Sequence, residues 1–239
     1  MKPACERTLK DFGLDYLDLY LIHFPISLKY VDPEVRYPPE WIHDPKSANP
    51  RMEPDHTVTY QQTWEAMEQL VKDGLVRNIG VSNVGCVKII DVIKYAKIKP
   101  SVLQVEMHPF LTQDKLLRFA QMYGVQVMAY SNFGSLSYVE LKMATEADTC
   151  LLSPAIVDAA KKYGKTPAQV TLRWAIQRGT VVIPKTIKKE RLIENISLFD
   201  FSLTAEEMAA ISALNKNERY NDPGKYTEPA FNNFYPIFE

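Results

Sequence analysis

The chain has 239 residues, with 28 lysines and arginines against 29 aspartates and glutamates, and a formal net charge of -1 at pH 7. This length fits one α/β barrel or two small domains, and a hydrophobic fraction of 46% supplies one sizeable core. The balanced charge argues against nucleic acid or an anionic membrane as a partner, and no apolar stretch approaches the roughly 20 residues that span a bilayer.

Cysteine and glycine usage restrict the compartment and the way a nucleotide could bind. The three cysteines, Cys5, Cys86 and Cys150, are scattered and odd in number, which is typical of a reducing compartment and not of a disulfide scaffold. The first residues lack the apolar core of an export signal, so we expect a cytoplasmic protein. The nine glycines form neither G-x-G-x-x-G nor G-x-x-x-x-G-K, so a nucleotide would be held in another way.

Strand-like and helix-like segments alternate along the chain. The first strand, 15–23, has leucines on one face and mixed residues on the other, which predicts burial on both faces. Strands are predicted at 15–23, 76–81, 102–107, 125–130 and 181–183. Helices are predicted at 59–73, 87–95, 114–123, 153–164, 166–178, 190–196 and 205–214.

Several helix ends carry specific signals. Gly74 ends the first predicted helix as a left-handed cap. Ser153 precedes Pro154 as an N-cap followed by a first-turn proline. Thr204-x-x-Glu207 predicts a capping box for the last predicted helix.

Three segments lack a regular pattern. Segment 25–57 contains seven prolines and is predicted as a loop, and 132–152 is a second insert. The tail, 216–239, is rich in aromatic residues without periodicity, so it must pack against something. It either covers a core or forms the wall of a pocket, and both interpretations stay open.

The strict alternation of strand and helix predicts parallel strands joined by right-handed crossovers. A complete eight-unit barrel needs about 250 residues. Here five units are recognised, because the inserts and the tail use up length. The sequence therefore predicts an open sheet or a barrel in which about three units are absent.

Polar residues follow all five predicted strands, at the ends where α/β barrels carry their chemistry. These residues are His23, then Ser82 and Asn83, then Gln104 with Glu106 and His108, then Tyr130 and Ser131, then Lys185 and Thr186. Together they indicate a ring of site residues. His43, His56 and His108 lie in or beside loops and are expected to be solvated. No second histidine or cysteine stands at metal-ligand spacing, so we predict no metal site.

His23 follows an apolar run and has two possible roles. A neutral imidazole there could donate a hydrogen bond to a carbonyl oxygen on which negative charge develops. Equally, it could be a buried histidine bonded to the backbone. Tyr130 is similarly open, since it offers a flat face for stacking a heteroaromatic ring or is a core tyrosine.

The stretch from Lys185 to Asn195 joins a strand end to a helix start. Backbone N–H groups of a helix N-terminus, together with Lys185 and Arg191, form a site suited to a phosphate. The alternative is a solvated basic turn, since Lys188 and Lys189 add further charge. The anion site is the favoured interpretation.

These residues belong to motifs that resemble the aldo-keto reductases, and within them the aldose/aldehyde and xylose reductase branch. The motifs occur in family order along the whole chain and form a specific set. They are LDYLDLYLIHFP (14–25), GLVRNIGVSN (74–83), PSVLQVEMHPFL (100–111), VMAYSNFGS (127–135), PAQVTLRWAIQRG (167–179), VIPKT-x4-R-x2-EN (182–195) and RYNDP (219–223).

The resemblance implies a (β/α)8 barrel that binds NADPH in extended form, and a role for each matching residue. His23 would orient the substrate carbonyl, and Phe24, where the family often has tryptophan, would line the substrate pocket. The implied cofactor residues are Ser82, Asn83 and Gln104 at the nicotinamide carboxamide, Tyr130 stacked on its ring, Ser131, Phe133 and Ser135 at the pyrophosphate, Lys185, Thr186 and Arg191 at the 2′-phosphate, and Glu194 and Asn195 at the adenine. Ile187 stands where xylose reductases that accept both cofactors have asparagine, which favours NADPH over NADH.

The chain departs from the family in its catalytic group of aspartate, tyrosine, lysine and histidine, because only the histidine, His23, has a counterpart. The resemblance aligns residues 1–5 inside the family's third helix, and the strand count also leaves three units unaccounted for. We therefore expect a single NADP-dependent oxidoreductase domain over 1–239, incomplete at the N-terminus and covering about the C-terminal five βα units.

Three functions follow from this pattern. The first is NADPH-dependent reduction of an aldehyde or aldose to an alcohol by hydride transfer; without the general acid, activity should fall roughly a hundred- to ten-thousandfold. The second is a non-catalytic NADPH-binding or interaction protein. The third, a structural remnant, is disfavoured because the cofactor residues are all present. The expected partner is a small-molecule carbonyl substrate, and the sequence leaves its identity and the oligomeric state open.

Overall fold

The computed structural model describes residues 1–139 and 142–238, and strands and helices alternate in them as predicted. The strands are β1 (Leu17–Ile22), β2 (Val76–Ser82), β3 (Val102–Glu106), β4 (Gln126–Tyr130) and β5 (Val181–Val182). The helices are α1 (Lys2–Phe12), α2 (Tyr60–Lys72), α3 (Cys86–Tyr95), α4 (Asp114–Met122), α5 (Pro154–Tyr163), α6 (Pro167–Gln177), α7 (Lys189–Ile196), α8 (Ala205–Ser212) and α9 (Pro223–Phe231). Every predicted strand and helix is confirmed, with ends that shift by one or two residues.

Two helices, α1 and α9, are absent from the pattern-based prediction. The resemblance had placed residues 1–5 in a helix, and α1 begins at Lys2 in agreement with it. Helix α9 lies in the aromatic tail, where its sequence contains a proline, Pro229, inside the helix. Pro223 occupies the first turn and the Asp222 carboxylate accepts a hydrogen bond from the Gly224 N–H at 2.9 Å. These signals at its start were present, but the internal proline concealed the helix.

Capping accounts for where several helices begin. The predicted box of Thr204 and Glu207 is confirmed, since each side chain bonds the other residue's backbone N–H. Thr59 with Gln62 forms an equivalent box at the start of α2. Ser153 is the N-cap of α5, as predicted, but its side chain makes no capping hydrogen bond. Gly74 follows α2 with φ of 75°, the left-handed conformation that the sequence predicts.

The strands form a sheet in chain order, β1-β2-β3-β4-β5, which confirms an α/β architecture. β1 pairs with β2 in parallel, with Leu19 opposite Asn78, and β4 pairs with β5 in parallel, with Ala129 opposite Val182. The expectation that β1 is buried on both faces is wrong, because its residues are half-buried and Asp18 is exposed. The physical reason is that β1 stands at the end of this sheet, with β2 as its neighbour among the described strands.

The chain divides into two compact units, and the first contains Met1–Val102 and Asp222–Glu239. Trp64 on α2 is fully buried there, and its indole N–H donates to the Ile98 carbonyl at 3.1 Å. The buried Glu68 carboxylate accepts from the N–H groups of Lys97 and Ile98 at 2.6 and 2.8 Å. A side chain at Gly80 would place its Cβ 2.4 Å from the Val102 carbonyl oxygen, so β2 needs glycine at this close approach.

The second unit contains Leu103–Asn221. Its core is formed by α5, α6 and α8, together with Phe110 and Cys150 before α5 and Phe201 and Leu203 before α8. Trp174 and Ile211 are fully buried, and the Trp174 indole N–H donates to Ser212 Oγ at 3.0 Å. The three helices pack through apolar side chains, and the one buried indole N–H has a hydrogen-bond partner. The second unit therefore has a core of its own.

The 25–57 segment is confirmed as a loop, with isolated bridges such as Ile42 to Met52 and no helix or strand. Its fully buried residue Met52 donates its backbone N–H to the Phe231 carbonyl at 2.8 Å, and Asn233 Nδ2 donates to the Met52 carbonyl at 2.9 Å. The tail thus holds the loop. Within 1–139 and 142–238, no helix combines the length and the apolar character needed to cross a bilayer.

Candidate functional site

The ends of β1 and β2 bring His23, Ser82 and Asn83 together in the first unit. Ser82 and Asn83 are buried, each 1% exposed. Asn83 Nδ2 donates to the His23 carbonyl oxygen at 2.9 Å and lies 3.2 Å from Ser82 Oγ. Asn83 has φ of 57°, a left-handed conformation that asparagine adopts more readily than most residues. The predicted grouping of these three residues is therefore present in the structure.

The His23 side chain keeps an exposed face, so it is not the buried, backbone-bonded histidine that was one of its two interpretations. Its ring lies 4.8 Å from the Phe24 ring, centroid to centroid. Partial desolvation lowers the pKa of His23 from its ordinary value of 6.5. The imidazole is therefore neutral at pH 7, the form that can donate one hydrogen bond to a carbonyl oxygen.

A cavity of about 630 Å³ adjoins His23 in the first unit. Phe24 and Trp41 are among its lining residues, with ring centroids 5.1 Å apart in an edge-to-face arrangement. Trp41 also stacks on Phe231, at 5.3 Å and 10° between ring planes, and Tyr226 meets Trp41 edge to face at 6.1 Å. For these tail residues the pocket-wall interpretation is supported, because they pack behind a tryptophan that lines the cavity.

Gln104 and Tyr130 lie on β3 and β4 in the second unit. The Met107 N–H, just after β3, donates to the Tyr130 carbonyl at 3.2 Å, which links the two strand ends. Gln104 Nε2 lies 3.0 Å from the thioether sulfur of Met128. Gln104 and Tyr130 are half-buried, so the Tyr130 ring is not wholly enclosed in the core.

The residues that follow β4 begin a loop, 131–149, of which 140 and 141 lie outside the described residues. Ser131 has φ of 53°, and its Oγ lies 2.9 Å from the Tyr138 hydroxyl. Phe133 is half-buried and its carbonyl accepts from Thr149 Oγ1 at 3.4 Å. Ser135 Oγ and both amide atoms of Asn132 are buried and, in the described part of the chain, have no hydrogen-bond partner. Such atoms mark a place where a polar ligand can bind.

Lys185, Thr186 and Arg191 surround the start of α7, which follows β5. Lys185 and Arg191 are exposed, and Thr186 Oγ1 accepts from the Lys188 N–H at 3.1 Å. Lys188 is the N-cap of α7 and makes no side-chain capping bond, so its side chain does not occupy the first N–H groups of the helix. Two exposed cations beside N–H groups without a side-chain cap form an arrangement that can bind a phosphate.

Glu194 and Asn195, predicted at the adenine, lie half-buried on α7. The Glu194 carboxylate accepts a short hydrogen bond from Thr166 Oγ1, and its carbonyl accepts from Gln169 Nε2 at 3.2 Å. Asn195 lines a cavity of about 460 Å³ in the second unit. Glu194 is therefore tied to the start of α6, while Asn195 faces open space.

The expectation that His108 is solvated is wrong, because His108 is fully buried and its Nε2 lies 2.9 Å from the equally buried Glu106 carboxylate. The proximity of a loop suggested exposure, but the carboxylate two residues earlier supplies the partner that burial needs. His56 is exposed as expected, and His43 is half-buried. The described residues contain no group of three or more His, Cys, Asp or Glu side chains that could hold a metal ion.

Two further residues of the site have no counterpart in the sequence-based prediction. Trp41 lies in the proline-rich loop, and a tryptophan in a predicted loop is itself a signal for a docked segment. Asn132 stands between predicted site residues, but nothing in its type or spacing distinguishes it from an ordinary turn residue.

The sequence profile of the “Aldo/keto reductase family” matches residues 1–216. The chain belongs to the aldo/keto reductase family. This confirms the resemblance, and relatives of the xylose reductase branch confirm the finer placement. A probable NAD(P)H-dependent D-xylose reductase of Emericella nidulans is 50% identical over 231 residues, which cover 96% of this aldo/keto reductase and 71% of the relative. An NAD(P)H-dependent D-xylose reductase of Aspergillus niger is 47% identical over 228 residues, 95% of this chain and 70% of the relative.

Solved structures of the family have the same fold. The aldose reductase of Schistosoma japonicum matches with a TM-score of 0.81 and 36% identity, over 100% of this chain and 70% of that chain. An aldo-keto reductase of Bombyx mori, solved in complex with NADP, matches with a TM-score of 0.77 and 36% identity, over 98% and 68% of the two chains. The TIM-barrel family of the fold prediction is thereby confirmed.

Proposed function

We propose that this aldo/keto reductase acts in the NAD(P)H-dependent reduction of aldehydes or aldoses to alcohols, with a small carbonyl compound as its substrate. One observation carries the proposal: the 50% identity, over 96% of the chain, to a probable NAD(P)H-dependent D-xylose reductase. When bound, the dinucleotide supplies the hydride. The residues of this chain bind the two reactants and orient the carbonyl.

The described residues of the second unit would contact several parts of a dinucleotide. Ser131, Phe133 and Ser135 would hold its pyrophosphate, and the buried, unpartnered Ser135 Oγ supports this assignment. Tyr130 would stack on the nicotinamide. Gln104, also in the second unit, would hold the carboxamide. In the first unit, Ser82 and Asn83 are likewise proposed as cofactor-binding residues.

We further propose NADPH in preference to NADH. Lys185, Thr186 and Arg191 would bind the 2′-phosphate, since both cations are exposed at the start of α7. Glu194 and Asn195 would contact the adenine. Ile187 is 87% exposed and has no side-chain amide that could bind the free ribose hydroxyl of NADH.

His23 would orient the carbonyl as a neutral hydrogen-bond donor. Its lowered pKa keeps the ring uncharged at neutral pH, and the bond from Asn83 to its backbone carbonyl holds the residue at the end of β1. Phe24 and Trp41 line the adjoining cavity and would contact the apolar parts of the substrate.

The five strand–helix units would correspond to about the last five units of the eight-unit family barrel. Support comes from the share of the relatives that the chain covers, which is 71% of the Emericella nidulans enzyme and 70% of the Schistosoma japonicum structure. The aspartate, tyrosine and lysine of the family would then come from a segment outside these units. We place the protein in the cytoplasm, because its three cysteines are free thiols.

The proposal is tested by titrating the protein with NADPH and NADH while following its tryptophan fluorescence. We expect NADPH to bind, and Arg191→Ala to weaken it about tenfold because a charge-assisted hydrogen bond is lost. NADH binding should change by less than about twofold, since it lacks the 2′-phosphate. Lys161→Ala, which removes an exposed lysine on α5, is the matched control and should leave both affinities unchanged.

Turnover is followed as the consumption of NADPH with D-xylose or an aromatic aldehyde. Failure of the unmodified chain to bind NADPH would contradict the proposal. Binding without measurable turnover would instead favour the non-catalytic NADPH-binding function.

A further inference from the structure

Glu106 and His108, at the end of β3, form a buried pair that the proposed chemistry does not use. Both side chains are fully buried, and His108 Nε2 lies 2.9 Å from Glu106 Oε1. A buried carboxylate is costly unless donors surround it. The groups that donate hydrogen bonds to the Glu106 carboxylate show which segment the pair holds in place.

The two Glu106 oxygens accept hydrogen bonds from a segment more than a hundred residues later in the chain. Oε1 accepts from the Tyr220 N–H at 2.9 Å, and Oε2 from the Asn221 N–H at 2.7 Å. Two more backbone hydrogen bonds hold the residues just before this segment. The N–H groups of Lys216 and Glu218 donate to the Phe110 carbonyl at 3.1 and 3.0 Å. Glu106 therefore fixes the backbone position of Tyr220.

The side chain of Tyr220 in turn makes two contacts with the 131–149 loop and passes close to Gly134. Its ring stacks on the Tyr138 ring at 5.8 Å and 22° between planes, and its hydroxyl donates to the Asp148 carbonyl at 3.2 Å. A Cβ at Gly134 would lie 3.6 Å from the Tyr220 ring and 3.8 Å from His108 Nδ1. Glu106 and His108 thus hold Tyr220, and Tyr220 packs directly against the loop.

The supported part of the loop is the part that carries the proposed pyrophosphate residues. Tyr138, stacked on Tyr220, also lies 2.9 Å through its hydroxyl from Ser131 Oγ. Gly134, between Ser131 and Ser135, has φ of 74° and ψ of −123°, a conformation essentially confined to glycine. Gly134 therefore sets the direction of the chain at this turn, and the contacts of Tyr220 fix the position of the described residues beside it.

We propose that Glu106 and His108 are positioning residues which, through Tyr220, hold the 131–149 loop in the arrangement that binds the pyrophosphate of the dinucleotide. The inference rests on the proposed function, because it assigns the loop to that cofactor. Glu106 acts through the backbone of Tyr220, and His108 completes the donor set of the carboxylate.

The test compares two ligands that meet different parts of the second unit. NADP⁺ would extend to the loop, whereas adenosine 2′,5′-bisphosphate carries a single 5′-phosphate in place of the pyrophosphate and would engage chiefly the α7 site. Glu106→Gln keeps the shape of the side chain but turns one acceptor into a donor that faces another donor. We expect the Kd of NADP⁺ to rise about tenfold and that of adenosine 2′,5′-bisphosphate to change less than about twofold. Asp158→Asn, on the exposed face of α5, is the matched control and should change neither.

Equal weakening of both ligands would show a general loss of structure and would overturn the proposal, as would unchanged NADP⁺ binding. Tyr220→Phe provides a second variant that keeps the ring and removes the hydroxyl bond to Asp148. It should raise the dissociation rate of NADP⁺ by about fivefold, with adenosine 2′,5′-bisphosphate unaffected.

A ligand-free measurement separates this proposal from the proposed function. Hydrogen exchange of the backbone amides in 131–139 and 142–149 should become faster in Glu106→Gln, while α5 and α6 keep their protection. Unchanged exchange in the loop would overturn the proposal. Failure of the unmodified protein to bind NADP⁺ would refute the proposed function, but it would leave the exchange result to decide whether the pair positions the loop.

Discussion

Asn83 Nδ2 lies 2.9 Å from the carbonyl oxygen of His23, so one buried amide joins the residue after β1 to the residue after β2. The same asparagine takes a left-handed backbone conformation. Position 83 therefore calls for a side chain that can donate a hydrogen bond and a residue type that tolerates positive φ.

We expect Asn83→Ala to lower the free energy of unfolding by about 1–3 kcal/mol, because it leaves a carbonyl without its donor and strains the backbone. Urea denaturation measures the change. Asn78→Ala is the matched control: Asn78 Nδ2 also donates from β2 to a β1 carbonyl, that of Asp18 at 3.0 Å, but is exposed to solvent. Water can replace that bond, so the control should lose less than about 0.5 kcal/mol. Equal losses in the two variants would contradict the role given to burial.

Desolvation lowers the pKa of His23, so its imidazole should take up a proton only at a lower pH than an ordinary histidine does. We expect the midpoint of its ring titration, followed by NMR, to lie below 6.5 in the folded protein. The unfolded chain binds the proton more tightly, so this histidine contributes stability that is fully present above pH 6.5 and is lost as the pH falls through its folded-state pKa. His23→Gln identifies the resonance and should abolish this part of the pH dependence. A midpoint at or above 6.5 would contradict the prediction.

Gly80→Ala should be among the most damaging single substitutions in the first unit. The added Cβ would lie 2.4 Å from the Val102 carbonyl oxygen and 2.7 Å from Leu21 Cδ2, so the strands must separate. We expect a loss of about 3 kcal/mol or more in the free energy of unfolding. Gly85→Ala serves as the control, since no atom lies within 4 Å of its added Cβ. Its loss should be about 0.5–1 kcal/mol, the cost of alanine at an N-cap.

Thiol reactivity should differ sharply among the three cysteines. Burial raises the pKa of Cys150 to about 12 and also raises that of Cys5, and both side chains are fully buried. Cys86 is half-buried. An aromatic disulfide reagent should therefore modify one thiol per folded chain and all three after unfolding. Cys86→Ser should remove the reaction of the folded state, and a second thiol of similar rate in that variant would contradict the assignment.

Elements with strong local signals could be predicted from the sequence. The Thr204 capping box, the left-handed Gly74 and the apolar run of 102–107 each depend on residues a few positions apart, and all three are found in the structure. Helix α9 was not predicted, because a proline inside a segment, here Pro229, indicates that the segment is not helical. The burial of β1 was predicted incorrectly because burial depends on where a strand stands in its sheet, and a pattern of leucines does not specify that.

The positions of the candidate residues at strand ends could be predicted from the sequence, but the contacts that support them could not. Strand ends predicted His23, Gln104, Tyr130 and Lys185, because parallel strands place chemistry at that edge. The burial of His108 could not be predicted, since its partner network includes the backbone of Tyr220, 112 positions later in the sequence. Hydrogen bonds between distant segments leave no periodic trace in a single sequence.

The attachment of the tail to the 25–57 loop has a consequence for engineering. Met52, Asn233, Phe231 and Trp41 bind the two segments to one another by backbone hydrogen bonds and ring stacking. A chimera that combines the 25–57 loop of a relative with the C-terminal tail of this chain would lose matching partners for these contacts. The residue that replaces Trp41 would then lack its stacking on Phe231. Substrate preference should consequently be transferable between relatives only when both pieces are exchanged as a matched set.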